Sequence, residues 1–173
     1  SLLALLGSAI IIGGKENKIE EYIQKLETDS LTPFLPRKKL KIRKRGKTKD
    51  VIKSLYPGYI FIIGDWNIND AKKITQLSGV VKFIGGLFSP GTLKKEEKDI
   101  INKITKDGVA GFSQVIKENT KIKIISGPLK ELEGVIQSVD RRKQKAIVNL
   151  PLLNSVVKVT LGFEYIESNE NDN

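Results

Sequence analysis

Between residues 119 and 166, short runs of β-branched residues alternate with turns at intervals too brief for helices. No other stretch constrains the fold as much. Ile122 and Ile124 fall on one face of a first strand, with Lys121 and Lys123 on the other. Gly127-Pro128 turns the chain away, and Gly134 lets it re-enter as Val135-Ile136-Gln137-Ser138-Val139. A second turn, Asp140-Arg141-Arg142-Lys143-Gln144, presents three cations before Ala146-Ile147-Val148-Asn149-Leu150 returns. This spacing predicts a small barrel of about five strands.

Composition narrows what such a chain can do. The 173 residues suit one medium domain or two small ones, and the net charge of +10 favours a polyanionic partner. That charge is local. Arg37 to Lys53 holds ten basic residues against the single acid Asp50, whereas residues 117–173 hold nine basic and eight acidic residues. With no cysteine there is no disulfide framework, thiol nucleophile or Cys-based zinc site, and with no histidine the commonest general base and metal ligand is missing. The acidic residues are scattered, with Glu96-Glu97 at a helix start and Glu131 and Glu133 about a turn. The expectation is a protein that is not an enzyme and needs no cofactor or metal. The apolar run Leu2–Ile12 is too short to span a bilayer and lacks a basic flank, so it is expected to be a buried first strand, in a cytoplasmic protein without a membrane partner.

Strands and helices alternate in the first half. Ile19, Tyr22, Ile23 and Leu26 follow helical spacing and predict a helix over 15–27. Pro33-Phe34-Leu35-Pro36 reads as a short extended piece, and the basic block around Leu40 and Ile42 as an exposed strand or hairpin arm with Gly46 near its tip. In Tyr59-Ile60-Phe61-Ile62-Ile63 both faces are apolar, as in a central strand. A second helix is expected over 67–77, a strand over 79–85, and a third helix capped by Thr92 with Ile100, Ile101 and Ile104 buried. Neither Gly13-Gly14 nor Gly85-Gly86 completes a phosphate-binding fingerprint.

The ordered set of short motifs resembles the NusG family of transcription elongation factors. The set comprises Gly14-Lys15-Glu16, Pro57-Gly58-Tyr59, Gly79-Val80-Val81-Lys82-Phe83-Ile84-Gly85, Pro90-Gly91-Thr92-Leu93 and Glu96-Glu97, followed by the KOW-like segment with Gly127, Pro128, Leu129 and Gly134. The resemblance covers residues 13–167 and implies an α+β protein. An N-terminal α/β sandwich with an antiparallel sheet and flanking helices (1–105) would join an SH3-like KOW β-barrel (117–167) through a linker at 106–116, with a disordered tail at 168–173.

The resemblance also implies partners. The first domain would bind the clamp helices of RNA polymerase through Tyr56, Pro57, Gly58, Tyr59 and Phe61, and suppress pausing or termination as a monomer. Residues 1–12 lack the family's Trp-Tyr-rich opening. Leu129 stands where housekeeping members carry Phe, which leaves partnership with a ribosomal protein or Rho open. Ser138-Val139-Asp140-Arg141-Arg142-Lys143 with Lys145 is more like specialised LoaP-type antiterminators, recruited to particular operons through a nascent RNA hairpin. Two nucleic-acid surfaces are expected: Arg141, Arg142, Lys143 and Lys145 on the barrel turn, and the arm residues Arg37, Lys38, Lys39, Lys41, Arg43, Lys44 and Arg45, near RNA or DNA at the transcription bubble. The alternative is a general or ribosome-associated KOW RNA-binding protein without polymerase contact.

Overall fold

The computed structural model describes residues 7–28 and 30–167. The expected disordered tail and residues 2–6 of the first apolar run lie outside them. The described chain forms two compact units, and both are interleaved along the sequence. Unit 1 comprises residues up to Pro36, Tyr56–Asn102 and Pro151–Ser155, and unit 2 comprises Arg37–Leu55, Lys103–Leu150 and the segment from Val156 onward. A single boundary at 106–116 does not describe this path.

Unit 1 is built on four antiparallel strands in the order β2 (Leu31–Phe34), β5 (Tyr59–Gly64), β1 (Gly7–Ile12), β6 (Val80–Phe83). β5 is central, and its two apolar faces each find cover. Ile60 and Ile62 join Ile10 and Ile12 in a core completed by Ile19 and Ile23 of α1 (Glu16–Lys25) and by Ala71 and Ile74 of α2 (Ile68–Thr75). On the other face, Phe61 stacks near Phe34 and meets the Tyr56 ring edge-on at 5.4 Å. Gly7 keeps that face close-packed, because a Cβ there would come within 3.0 Å of Leu93 and 3.1 Å of Ile63.

The helix ends show which local signals held. Asn67 caps α2, its Oδ1 accepting from the backbone N–H groups of Asn69 and Asp70. Tyr22, expected on the buried stripe of α1, is 41% exposed. α3 (Lys95–Ile104) starts three residues beyond Thr92, so Thr92 does not cap it. The buried Glu97 carboxylate takes that role: one oxygen accepts from the Lys94 N–H at 3.0 Å and the other from the Leu153 N–H at 2.7 Å. Ile101 and Ile104 are buried as expected, whereas Ile100 of the same expected stripe is half-buried.

Unit 2 holds two sheets. The basic arm is a hairpin, β3 (Arg37–Lys44) and β4 (Lys47–Ser54), paired without a slip from Arg37↔Ser54 to Lys44↔Lys47. Arg45 and Gly46 close it with φ of 53° and 76°, the two left-handed residues that a tight type I′ hairpin turn demands. β3 also pairs in parallel with β7 (Val109–Ala110). The stretch expected as a linker therefore carries β7 and the start of β8 (Ser113–Glu118). The second sheet has the order β10 (Ile136–Asp140), β11 (Lys145–Leu152), β12 (Ser155–Tyr165), β8, β9 (Lys121–Ser126). β9 and β10 stand at opposite edges, so the five strands make a half-barrel where the sequence predicted a closed one. Gly162 on β12 fixes how the hairpin joins this sheet. A Cβ there would lie 2.6 Å from the Lys39 carbonyl oxygen and 2.9 Å from the Phe112 ring.

Candidate functional site

The aromatic segment expected at the polymerase surface divides by burial. Tyr56 and Phe61 are core residues, 2% and 0% exposed, and burial together with the Glu97 carboxylate raises the Tyr56 phenol. A β5 residue alternates into one face or the other, and in a sheet covered on both faces Phe61 has no route to solvent. Pro57 is exposed, while Gly58 and Tyr59 are half-buried. The loop is anchored from below: the Gly58 N–H donates to Glu16 Oε1 at 3.0 Å, and the Ile12 N–H to the Gly58 carbonyl at 2.9 Å.

The KOW-like residues also separate into groups. Gly127 has φ 98°, and a Cβ there would meet Ser113 Cα at 2.5 Å, so only glycine fits. Pro128 opens the short helix α4 (Pro128–Glu131), and the Leu129 N–H donates to Ser113 Oγ at 2.8 Å. Leu129 is fully buried, which makes it a core residue of unit 2 and not a surface for a protein partner. Gly134 stands in open space within a 3₁₀ turn and has no conformational need to be glycine.

The cations expected in two separate places belong to the same unit. A cleft of about 260 Å³ is lined by Lys41, Ile42, Arg43 and Thr48 of the hairpin on one side. Arg142, Lys143, Gln144 and Lys145 of the β10–β11 turn line the other. That turn is shaped by the Lys143 N–H donating to Asp140 Oδ1 at 2.8 Å and by Gln144 at φ 55°. A wider cleft of about 900 Å³ adjoins it, lined by Lys117, Asn119, residues 138–142, Lys145, Ile147 and Tyr165. The Tyr165 hydroxyl donates to the Arg141 carbonyl at 2.8 Å, and Lys117 Nζ stands 4.7 Å from the ring centroid.

Individual cations in this region do different things. Lys39, Arg43, Lys44, Arg45, Arg141, Arg142 and Lys143 are exposed, and Arg37 is half-buried. Lys41 is tied down: its ammonium reaches Asp50 at 3.1 Å and Glu164 at 3.2 Å and lies over the Phe112 ring. Burial pulls the Lys41 ammonium down, but the two carboxylates outweigh it and hold its pKa above the ordinary value. Lys38 is buried, and desolvation with the nearby Lys145 charge lowers its pKa to about 8. Lys38 therefore points inward, away from any ligand. Tyr165, Lys117 and the shared role of Arg142 and Lys145 escaped the sequence reading. Only the β8 and β12 ends bring the first two near the turn, and no local pattern marks that.

Residues 11–104 match the family model described as transcription termination factor nusG, more than half of the chain. The chain belongs to the NusG family. It is similar to the transcription termination/antitermination protein NusG of Rickettsia typhi, 24% identical over 91% of this chain and 86% of that protein. The same named protein from Deinococcus radiodurans is 28% identical over 73% of this chain and 75% of its own length. The Streptococcus pyogenes protein is 26% identical over 86% and 88%. A solved structure of Thermotoga maritima NusG shares the fold with a TM-score of 0.54 at 20% identity, covering 94% of this chain and 96% of that one. Among the described residues, no helix is long and apolar enough to cross a membrane.

Proposed function

We propose that this NusG-family protein is a transcription elongation and processive antitermination factor. It binds the clamp helices of RNA polymerase through unit 1 and is recruited to specific operons by a nascent RNA hairpin bound to unit 2. Family membership over residues 11–104 carries the transcription part of this reading. The segment of exposed Pro57 and half-buried Gly58 and Tyr59 makes the polymerase contact, with Tyr56 and Phe61 holding it from within the core. Unit 2 serves as the family's KOW module. Its paired basic segments support RNA as the recruiting ligand, because a compact set of arginines and lysines meets phosphates without needing a fixed base sequence.

The test is transcription in vitro through a terminator, with and without candidate leader hairpins. Readthrough should rise with the protein, and rise further when its cognate hairpin is transcribed. Polymerase retention should fall with Tyr59→Ala in a variant that melts like the parent. RNA binding that persists with no retention of polymerase and no change at pauses or terminators would return the protein to the general KOW RNA-binding reading.

A further inference from the structure

Arg142 and Lys145 line both clefts of unit 2, so the narrow and wide clefts meet at the β10–β11 turn. Their linings differ. The narrow cleft places Lys41 and Arg43 opposite Arg142, Lys143 and Lys145, with no carboxylate among its lining residues. The wide cleft mixes Lys117, Arg141, Arg142 and Lys145 with the apolar surface of Val139 and the Tyr165 ring, and Asp140 is its one acid. Val139, paired with Ala146, is 40% exposed, while Ile147 projects from the other face of the sheet.

We infer that the two clefts form one track for a single-stranded nucleic acid. The phosphodiester backbone crosses the narrow cleft, and an unpaired base lodges against Tyr165 and Val139 in the wide one. The narrow cleft has the chemistry of a backbone clamp, with cations contributed by two hairpins facing each other. The wide cleft has room and apolar surface for a base. A duplex cannot use it, because its bases are already stacked out of reach of a side-chain ring. The ring is also preset: its hydroxyl is bonded to the turn that carries the arginines, so base and phosphate contacts are held in register. Lys41, compensated by Asp50 and Glu164, positions the hairpin wall, while Arg43 supplies the hairpin's charge to the ligand. This deepens the RNA reading of unit 2 and adds two requirements, the hairpin wall and the base pocket.

Fluorescence anisotropy on the full chain tests it, using labelled U10, an abasic U10 that keeps every phosphate, dT10 and a ten-base-pair duplex. Wild type should bind U10 at least fivefold more tightly than the abasic oligomer and the duplex, as expected when one base stacks on a side chain. Preference for U10 over dT10 assigns RNA, and equal or reversed affinity assigns single strands generally or DNA; each leaves the track standing. Arg43→Ala and Arg142→Ala should each reduce the log–log salt slope by about 0.7. Tyr165→Leu should remove the U10 preference, and Tyr165→Phe, which keeps the ring, should retain it. A slope lowered by Arg142→Ala but unmoved by Arg43→Ala would sink the two-walled track and leave the turn as an RNA site. Equal wild-type affinity for U10 and abasic U10 would sink the base pocket. No binding of any oligomer would remove the RNA reading with it. Binding of polyglutamate as tight as U10, with the same dependence on Arg43 and Arg142, would reassign the surface to an acidic protein segment.

Discussion

The aromatic loop of unit 1 and the cationic hairpins of unit 2 were both expected to be surfaces, and the fold treated them in opposite ways. Tyr56 and Phe61 went into the core, while Arg43, Arg141, Arg142 and Lys143 stayed outside. The difference is physical. An aromatic residue on a strand covered on both faces gains free energy by burial, so its type alone does not mark it as a contact. A guanidinium at a hairpin turn cannot be buried without a partner, and solvent or a ligand is all that remains to it. Lys38 is the exception that tests the rule, since it is a cation on the buried side of β3.

The largest effect should come from Phe61→Ala, which empties a site between Tyr56 and Phe34 and should cost about 3–5 kcal/mol in denaturant unfolding. A loss below 1 kcal/mol would mean that Phe61 is not core, and would reopen it as a contact residue. Lys38→Met should stabilise unit 2 at pH 7 by roughly 2–3 kcal/mol, because a lysine lowered from 10.5 to about 8 opposes folding while charged. The sign follows from proton counts. The unfolded state binds more protons between pH 8 and 10.5, so wild type gains stability as pH rises through that window and the advantage of Lys38→Met shrinks. A constant advantage across that window would show that Lys38 does not titrate there.

Next in size is the contrast between two glycines of the same motif. Gly127→Ala should cost more than about 2 kcal/mol through its left-handed φ and its approach to Ser113. Gly134→Ala, in open space, should change stability by less than about 0.5 kcal/mol. Equal costs would mean that the motif's glycines serve a common purpose that their geometry does not show. Smallest in stability are Arg43→Ala and Arg142→Ala, each within about 0.5 kcal/mol of the parent by melting. Their effects should appear in nucleic-acid affinity alone, the reverse of Phe61→Ala.

Much of the fold was legible. Period-two runs marked the strands, the second helix began at the expected Asn67 boundary, and Ile101 and Ile104 followed a buried stripe. What escaped was long-range. Nothing near Thr92 reveals that Glu97 satisfies the helix start instead. Nor does the basic block reveal that β7, some seventy residues later, will pair beside it. The candidate site was legible as charge and illegible as geometry. Arg43 and Arg142 were each visible in the sequence, but Gly162, the residue that lets β3 approach β12, carries no local sign of its purpose.

The interleaving of the two units has a consequence in time. Lys41 leaves the ribosome 123 residues ahead of Glu164, its second carboxylate. At 5–20 residues per second, the most cationic segment of the chain spends roughly 6–25 s without that counter-charge. The hairpin can zip early from its own tight turn, but its docking waits for β12. Synthesis order thus sets when the cationic surface is completed, and a nascent chain that stops short of β12 presents the charge without the cleft.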